Sequence, residues 1–479
     1  MTEHDAVVVG AGPNGLAAAI ALAQAGRSVL VLEANDSPGG GARSAELTLP
    51  GFVHDLCSGV HPLAVASPFF RSLNLEQHGL EWVQPPAAMA HPFDDGTAAL
   101  LERSTAATGA HLGADAGAYR RLMDPFVARW QNLYEDALAP PRLPRHPFLM
   151  ARFGLLGLRS TTRLTRRWFR EERTRALFAG IAAHATLPLD EAPSAAFGLI
   201  LGVAGHAVGW PIPRGGAGRI TDALVGCLQS LGGEVRTGSP VASLDDLPAA
   251  RTVLLDVTAP ELLRLAGDRL PPGYRSQLQR VRPGLGTFKV DWALDGPIPW
   301  RAAECARAST VHLGSTLDEI ASSHAASWAG RDPEQPFVIL SQPTLFDPSR
   351  APAGKHVAWA YCHPPHGSTT DMTHRIEAQI ERFAPGFRDR ILARNSAFPV
   401  DLERSNRNLA GGDIDAGVSD LRQLFFRPVL RLPPYATPLP GVFICSAATP
   451  PGPAVHGMCG YHAAQAALHS LGVGSPHYG

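Results

Sequence analysis

The sequence predicts an α/β fold in which a parallel sheet, assembled from distant parts of the chain, carries an α+β insertion. Three observations point there: a strand, glycine turn, helix and strand at the start, a glycine turn opening a helix in the middle, and a strand, small-residue turn and helix at the end. Size and composition permit it. The 479 residues exceed one typical core, and 45% hydrophobic with 18% charged residues is a globular balance. Basic and acidic residues number 42 and 43, a net charge of -1, which argues against nucleic acid as a partner. Only Lys289 and Lys355 are lysines.

The first element is the apolar run Ala6-Val7-Val8-Val9, which leads into Gly10-Ala11-Gly12-Pro13-Asn14-Gly15. An Ala- and Leu-rich helix follows from Leu16 to Ala25, ended by Gly26, and Ser28 to Leu32 reads as a second strand closing on Glu33 and Ala34. This context turns a weak glycine pattern into a strong dinucleotide-binding signature, and the fold into a Rossmann type. Gly10 permits the tight turn, Gly12 lets the backbone approach a pyrophosphate, and Gly15 lets the helix pack on the strand. The helix N-terminus contributes about 0.3–1 kcal/mol toward an anion. Glu33 stands where a carboxylate accepts hydrogen bonds from ribose hydroxyls, and it repels a 2′-phosphate.

The fold pattern alone leaves FAD and NAD open. The residues after Glu33 add Gly39-Gly40-Gly41-Ala42-Arg43-Ser44, and E-x-x-x-x-x-G-G-x-x-x-S resembles the flavoprotein family of amine oxidases and phytoene desaturases. That resemblance implies FAD, with Gly39, Gly40, Arg43 and Ser44 as contacts beside Gly10, Gly12, Pro13, Asn14, Gly15, Glu33 and Ala34. It also implies that Val60, next to His61, passes near the isoalloxazine.

In the middle, Pro211 to Leu224 is similar to the family's P-x-G-G segment, where a glycine turn re-enters the FAD domain. Its helix shows Ile220, Leu224, Leu228 and Leu231 on one face. Glu234 to Leu244 reads as a strand, in which the resemblance assigns Val241 to the adenine through its backbone. Thr252 to Thr258 is another buried strand, and the short gap between them departs from many relatives. At the end, Val442-Phe443-Ile444-Cys445-Ser446-Ala447 and the helix after His456-Gly457-Met458 are similar to the family's terminal FAD segment. Ser446 and Ala448 stand where relatives often have Gly. Ala447, Gly457 and Met458 are the expected contacts there.

The expected architecture is therefore a discontinuous Rossmann-type FAD-binding domain (residues 1–70, 210–275 and 430–479) with a mixed-sheet plus helical substrate domain (71–209 and 276–429). Residues 71–209 read as largely helical. The segment 286–296 reads as a strand with Phe288, Val290 and Trp292 on one face and Lys289 and Asp291 on the other, extended by 337–340 and 356–361. The apolar stretch 195–205 is either a core helix or the wall of an apolar cavity. Seven arginines between Arg159 and Arg175, interleaved with Leu164, Trp168 and Phe169, form either a solvated basic helix or a peripheral membrane contact.

His363-Pro364-Pro365-His366 does not fit a metal site, and no metal is expected. The six cysteines form no C-x-x-C, which fits a reducing cytoplasm. The start of the chain, Met1 to Asp5, lacks the basic region of a signal peptide, and no apolar run reaches the roughly 20 residues of a membrane span. Cytoplasmic placement, peripheral to a membrane at most, is the expectation, with the oligomeric state open.

The resemblance implies an FAD-dependent oxidoreductase that removes hydride from an apolar organic substrate, the flavin being reoxidised by oxygen, a quinone or another acceptor. A flavin amine oxidase with an aromatic cage, and a binding protein with structural FAD, are the alternatives. His61 and His456 are the candidate catalytic residues for proton handling, against a structural role for each.

Overall fold

The computed structural model describes residues 4–472. The reading of Met1 to Glu3 lies outside these residues, as does the stretch 473–479.

A five-stranded parallel sheet holds β1 (His4–Val9), β2 (Val29–Leu32), β5 (Glu234–Arg236), β6 (Ala250–Leu255) and β12 (Val442–Ile444), in the order β12-β6-β1-β2-β5. Ala6 to Val9 and Val29 to Leu32 are buried on both faces, which is why both run as near-continuous apolar stretches. Helix α1 (Pro13–Gln24) starts directly after the glycine turn with Pro13 at its first position, where a missing N–H costs nothing.

The second sheet has seven strands: β3 (Ala87–Pro92), β4 (Ala98–Glu102), β7 (Phe288–Leu294), β8 (Ala308–Leu313), β9 (Val338–Ser341), β10 (His356–Cys362) and β11 (Ile391–Ala397). Their order is β11-β7-β10-β9-β8-β3-β4, antiparallel except for β8 beside β3. The expected strands near 286–296, 337–340 and 356–361 are all present in it. The hairpin β3–β4 is not what a largely helical reading of 71–209 expects. Its sequence is rich in Ala and Leu, poor β-formers, so its strand state comes from pairing with β8 rather than from propensity.

The helices of the insertion include α2 (Pro147–Gly157), α3 (Thr161–Trp168), α4 (Glu172–Ala182) and α5 (Ser194–Ala207), and two more, α6 (Gly218–Ser230) and α7 (Met458–Ser470), flank the parallel sheet. On α6, Ile220, Leu224 and Leu228 are buried as expected, whereas Leu231 lies past the helix end and is 41% exposed. The strand expected over 234–244 stops at Arg236. The chain still runs beside β2, since Gly238 and Ser239 donate to the carbonyls of Asn35 and Glu33, but Pro240 has no N–H to continue.

The basic stretch 159–175 is corrected in a way that matters for the membrane. It is not one helix but α3, a break at 169–171, and the start of α4. The apolar residues between its arginines face inward, with Leu164 and Phe169 buried, and Arg166 pairs with Asp318.

Candidate functional site

One cavity of about 1060 Å³ runs from the glycine turn of the parallel sheet to the face of the seven-stranded sheet. At the first end its wall is Gly10, Gly12, Pro13, Asn14, Glu33, Ala34 and Gly40, with Val241, Asp256 and Ala447 across from them. Gly10 sits at φ +100, a backbone that only glycine adopts without strain, and a Cβ on Gly12 would lie 2.5 Å from Asp256 Oδ2. Glu33 is buried at the end of β2 and fixes the turn: its carboxylate accepts from the N–H of Ala11 (2.9 Å) and of Asn35 (2.9 Å). The Asn14 side-chain oxygen is buried there without a hydrogen-bond partner among the described residues.

Other expected contacts stand behind this wall and shape it. Gly15 donates its N–H to Asp256 Oδ2 at 3.0 Å. Gly39 donates its N–H to the Ala11 carbonyl, and Arg43 Nε donates to the Gly40 carbonyl at 2.9 Å. Ser44 is a clamp between two chain segments rather than a wall residue. Its hydroxyl donates to Asp55 (2.9 Å) and accepts from the Gly218 N–H (3.1 Å), so it ties the first glycine segment to the second. Asp55 also accepts from the Ala217 N–H and pairs with the fully buried Arg350 at 2.6 Å. A buried guanidinium needs this partner, since an unpaired one would cost several kcal/mol, on the order of 3–5. Gly457 and Met458 open α7, where Gly457 takes φ +67 with Phe70 packed against it.

His61, Val60 and His456 do line the cavity. Burial pushes both imidazoles down to about 4, so both are neutral at pH 7. His456 Nδ1 accepts from the Met458 N–H at 3.0 Å, which leaves the ring proton on Nε2. The two ring nitrogens of His61 have no partner among the described residues. His363 is buried elsewhere, its Nδ1 at 3.1 Å from the Gly286 carbonyl.

The far end of the cavity is apolar on one side and polar on the other. Met150 and Phe153 from α2, and Ala196, Phe197, Ile200 and Leu201 from α5, make the apolar side, so this helix is both core and cavity wall. The sheet side presents Lys289, Thr310, Ser341, Trp359 and Tyr361, with His184, Trp210 and Asp415 beside it. Lys289 is paired with Asp291 in the buried interior and sits 5.2 Å from the Trp359 ring centre. His184 and His312 share a hydrogen bond between their Nε2 atoms at 2.9 Å.

The sequence reading missed Asp256, Asp415, Tyr361 and His184 as site residues. Lys289 offered a signal, being one of two lysines in the chain and set with Asp291 in a strand whose other residues are apolar. Asp256, at the end of an apolar strand, offered a similar one. Burial raises its carboxyl to about 7 against the pull of the Gly15 and Gly12 N–H groups. Among the described residues all six cysteines are free and no cluster suits a metal ion.

The family described as NAD(P)-binding Rossmann-like domain matches residues 8–73. The chain is 26% identical to pyridine nucleotide-disulfide oxidoreductase domain-containing protein 2 of Rattus norvegicus, over 98% of this chain and 94% of that protein. It is 28% identical to phytoene dehydrogenase of Streptomyces griseus, covering 81% and 77%. A solved structure of wild-type putrescine oxidase superposes with a TM-score of 0.63 at 18% identity, covering 98% and 99%, which is a likeness of fold. The resemblance to phytoene-desaturase-like and amine-oxidase-like oxidoreductases, read first from the motifs, agrees with these relatives, as does the mixed α/β class.

Proposed function

We propose that the chain is an FAD-dependent oxidoreductase that removes hydride from an apolar organic substrate, a phytoene-desaturase-like dehydrogenation. The observation that carries this reading is the single cavity joining a dinucleotide-binding turn to an apolar chamber. The residues present suit FAD: a glycine turn without side chains to obstruct it, the buried Glu33 carboxylate, and the unpartnered Asn14 oxygen. When bound, the flavin supplies the hydride acceptor. The chain's own residues do the rest. Gly10 to Asn14 and Glu33 hold the dinucleotide, and α2 and α5 exclude water and orient the substrate. Neutral His61 and His456 flank the path between the two ends as hydrogen-bonding groups.

An amine oxidase is the second reading, and one observation favours it: Trp359 and Tyr361 stack at 6.0 Å on the cavity wall. Lys289, however, already covers the Trp359 ring, and its positive charge disfavours a cationic amine there. The test is the absorption spectrum of the purified protein, followed by anaerobic titration with polyenes and with amines. Flavin bleaching by a polyene supports the first reading and bleaching by an amine the second. A coloured protein bleached by neither favours a structural flavin, and a protein that cannot be loaded with FAD overturns all three.

We also propose a peripheral membrane contact, moved from residues 159–175 to the cavity mouth. Leu158 and Phe425 both line the cavity and stand 48% and 43% exposed, and α2, which leads into Leu158, also carries exposed Phe148 and Leu155. Arg152 on α2 and Arg159 just beyond it add positive charge to this run, which suits an anionic lipid surface. Among the described residues no helix is long and apolar enough to cross a membrane.

A further inference from the structure

The loop 413–417 presents a carboxyl to the cavity under unusual restraint. Asp413 accepts from the N–H groups of Gly284, Asp415 and Gly417 at 2.7–2.8 Å, and Arg427 Nη2 donates to the Asp415 carbonyl at 2.7 Å. So held, Asp415 lines the cavity, and its carboxylate receives one hydrogen bond, from the Thr186 hydroxyl to Oδ2 at 2.8 Å. Oδ1 has no partner among the described residues.

Both residues beside this contact are strained. Thr186 (φ +54) and Ala416 (φ +56) are two of the four non-glycine residues at positive φ in the described chain, a strained conformation that gathers at functional sites. Trp328 Nε1 donates to the Thr186 carbonyl at 2.8 Å and locks it there.

Tyr361 lies close enough for its titration to respond to the Asp415 charge. Its hydroxyl has no hydrogen-bond partner among the described residues, while its ring is fixed against Trp359 and His363. Two polar groups with spare hydrogen-bonding capacity therefore face one cavity, opposite a side walled by Met, Phe, Ile and Leu and beside Lys289, Thr310, Ser341 and His184.

We infer that Asp415 and Tyr361 form a polar pole of the chamber, which binds an oxygen function, a hydroxyl or a carbonyl, carried by the apolar substrate. This rests on the oxidoreductase reading above and narrows its substrate from a bare hydrocarbon to an oxygenated one. A satisfied pair of this kind discriminates strongly, because an unfilled buried polar group is costly. The Asp415 carboxyl is raised to about 7 by burial and by Asp413, against Thr186 and Arg427; Cys57 and Tyr361 are the other titratable groups that sense its charge. A carbonyl needs the protonated acid as donor, whereas a hydroxyl can also donate to the carboxylate.

The probes are octane, 2-octanol and 2-octanone, titrated into the purified protein with and without added FAD and followed by tryptophan fluorescence, since Trp210 and Trp359 line the cavity. The oxygenated probes are expected to bind at least tenfold tighter than octane. Tyr361→Phe should erase most of that preference while leaving octane unchanged. Ketone affinity should fall as pH rises through about 7, and alcohol affinity should hold. Asp415→Asn should keep ketone binding and remove its pH dependence; if that variant does not fold, the wild-type pH series decides. Equal affinity for all three probes, or an equal loss for all three in Tyr361→Phe, overturns the inference. The fluorescence signal does not depend on flavin chemistry, so a failed FAD reading and a failed polar pole are separate outcomes.

Discussion

At the residue scale the glycine turn depends on an acid that no motif points to. Asp256 packs under Gly10, Gly12 and Gly15, and its proton is retained up to about pH 7, whereas an ordinary aspartate releases its own near 3.8. Between those values the native state binds more protons than the unfolded chain, so the residue's contribution to stability falls as pH rises and is lost once it ionises near 7. Above pH 7 a negative charge stands against the turn proposed to hold a pyrophosphate. Flavin retention measured by dialysis is expected to drop severalfold between pH 6 and 8, and Asp256→Asn should flatten that dependence. An identical drop in the variant would assign it to another group. The sequence exposed the glycines because their spacing is local. Asp256 reaches the same turn across 241 residues, and only the parallel pairing of β1 with β6 brings it there. Tyr361 and Asp415 were unreadable for the same reason.

At the element scale the crossing of α1 and α7 is the closest helix contact at the site. Gly460 has no side chain because one would overlap the Asn14 carbonyl oxygen of α1. Gly460→Ala must push the two helices apart. A loss of about 1–3 kcal/mol is expected by thermal or urea unfolding, together with weaker flavin retention, because Asn14 and Gly457 flank the crossing. Unchanged stability would show that α7 shifts freely. The elements legible in the sequence were those with strong local signals: α1 with its glycine turn, α6 with its apolar face, and the β-branched strands. The hairpin β3–β4 was hidden by helix-forming residues, and β5 was read too long because the turn residue Gly238, at φ +56, was taken into the strand.

At the scale of the whole molecule, two runs of chain carry exposed apolar residues and each gives one of them, Leu158 or Phe425, to the cavity wall. Phe148 and Leu155 in the first run, and Phe425, Phe426 and Leu430 in the second, are all at least 43% exposed. Sedimentation with anionic vesicles is expected to carry the protein down, neutral vesicles much less, and Phe148→Asp with Leu155→Asp should reduce binding at least fivefold. Equal sedimentation of that double variant would move the contact elsewhere. Composition alone suggested a charge-neutral surface, since the balance of 42 against 43 conceals how the arginines are distributed. The order β12-β6-β1-β2-β5 also bears on how the protein is made. The edge strand β12 pairs with β6, and α7 lies on α1, so segments far apart in the chain close this part of the molecule. Folding therefore leaves β6 and one flank of α1 uncovered until those distant segments dock, a high-contact-order closure that invites chaperone engagement.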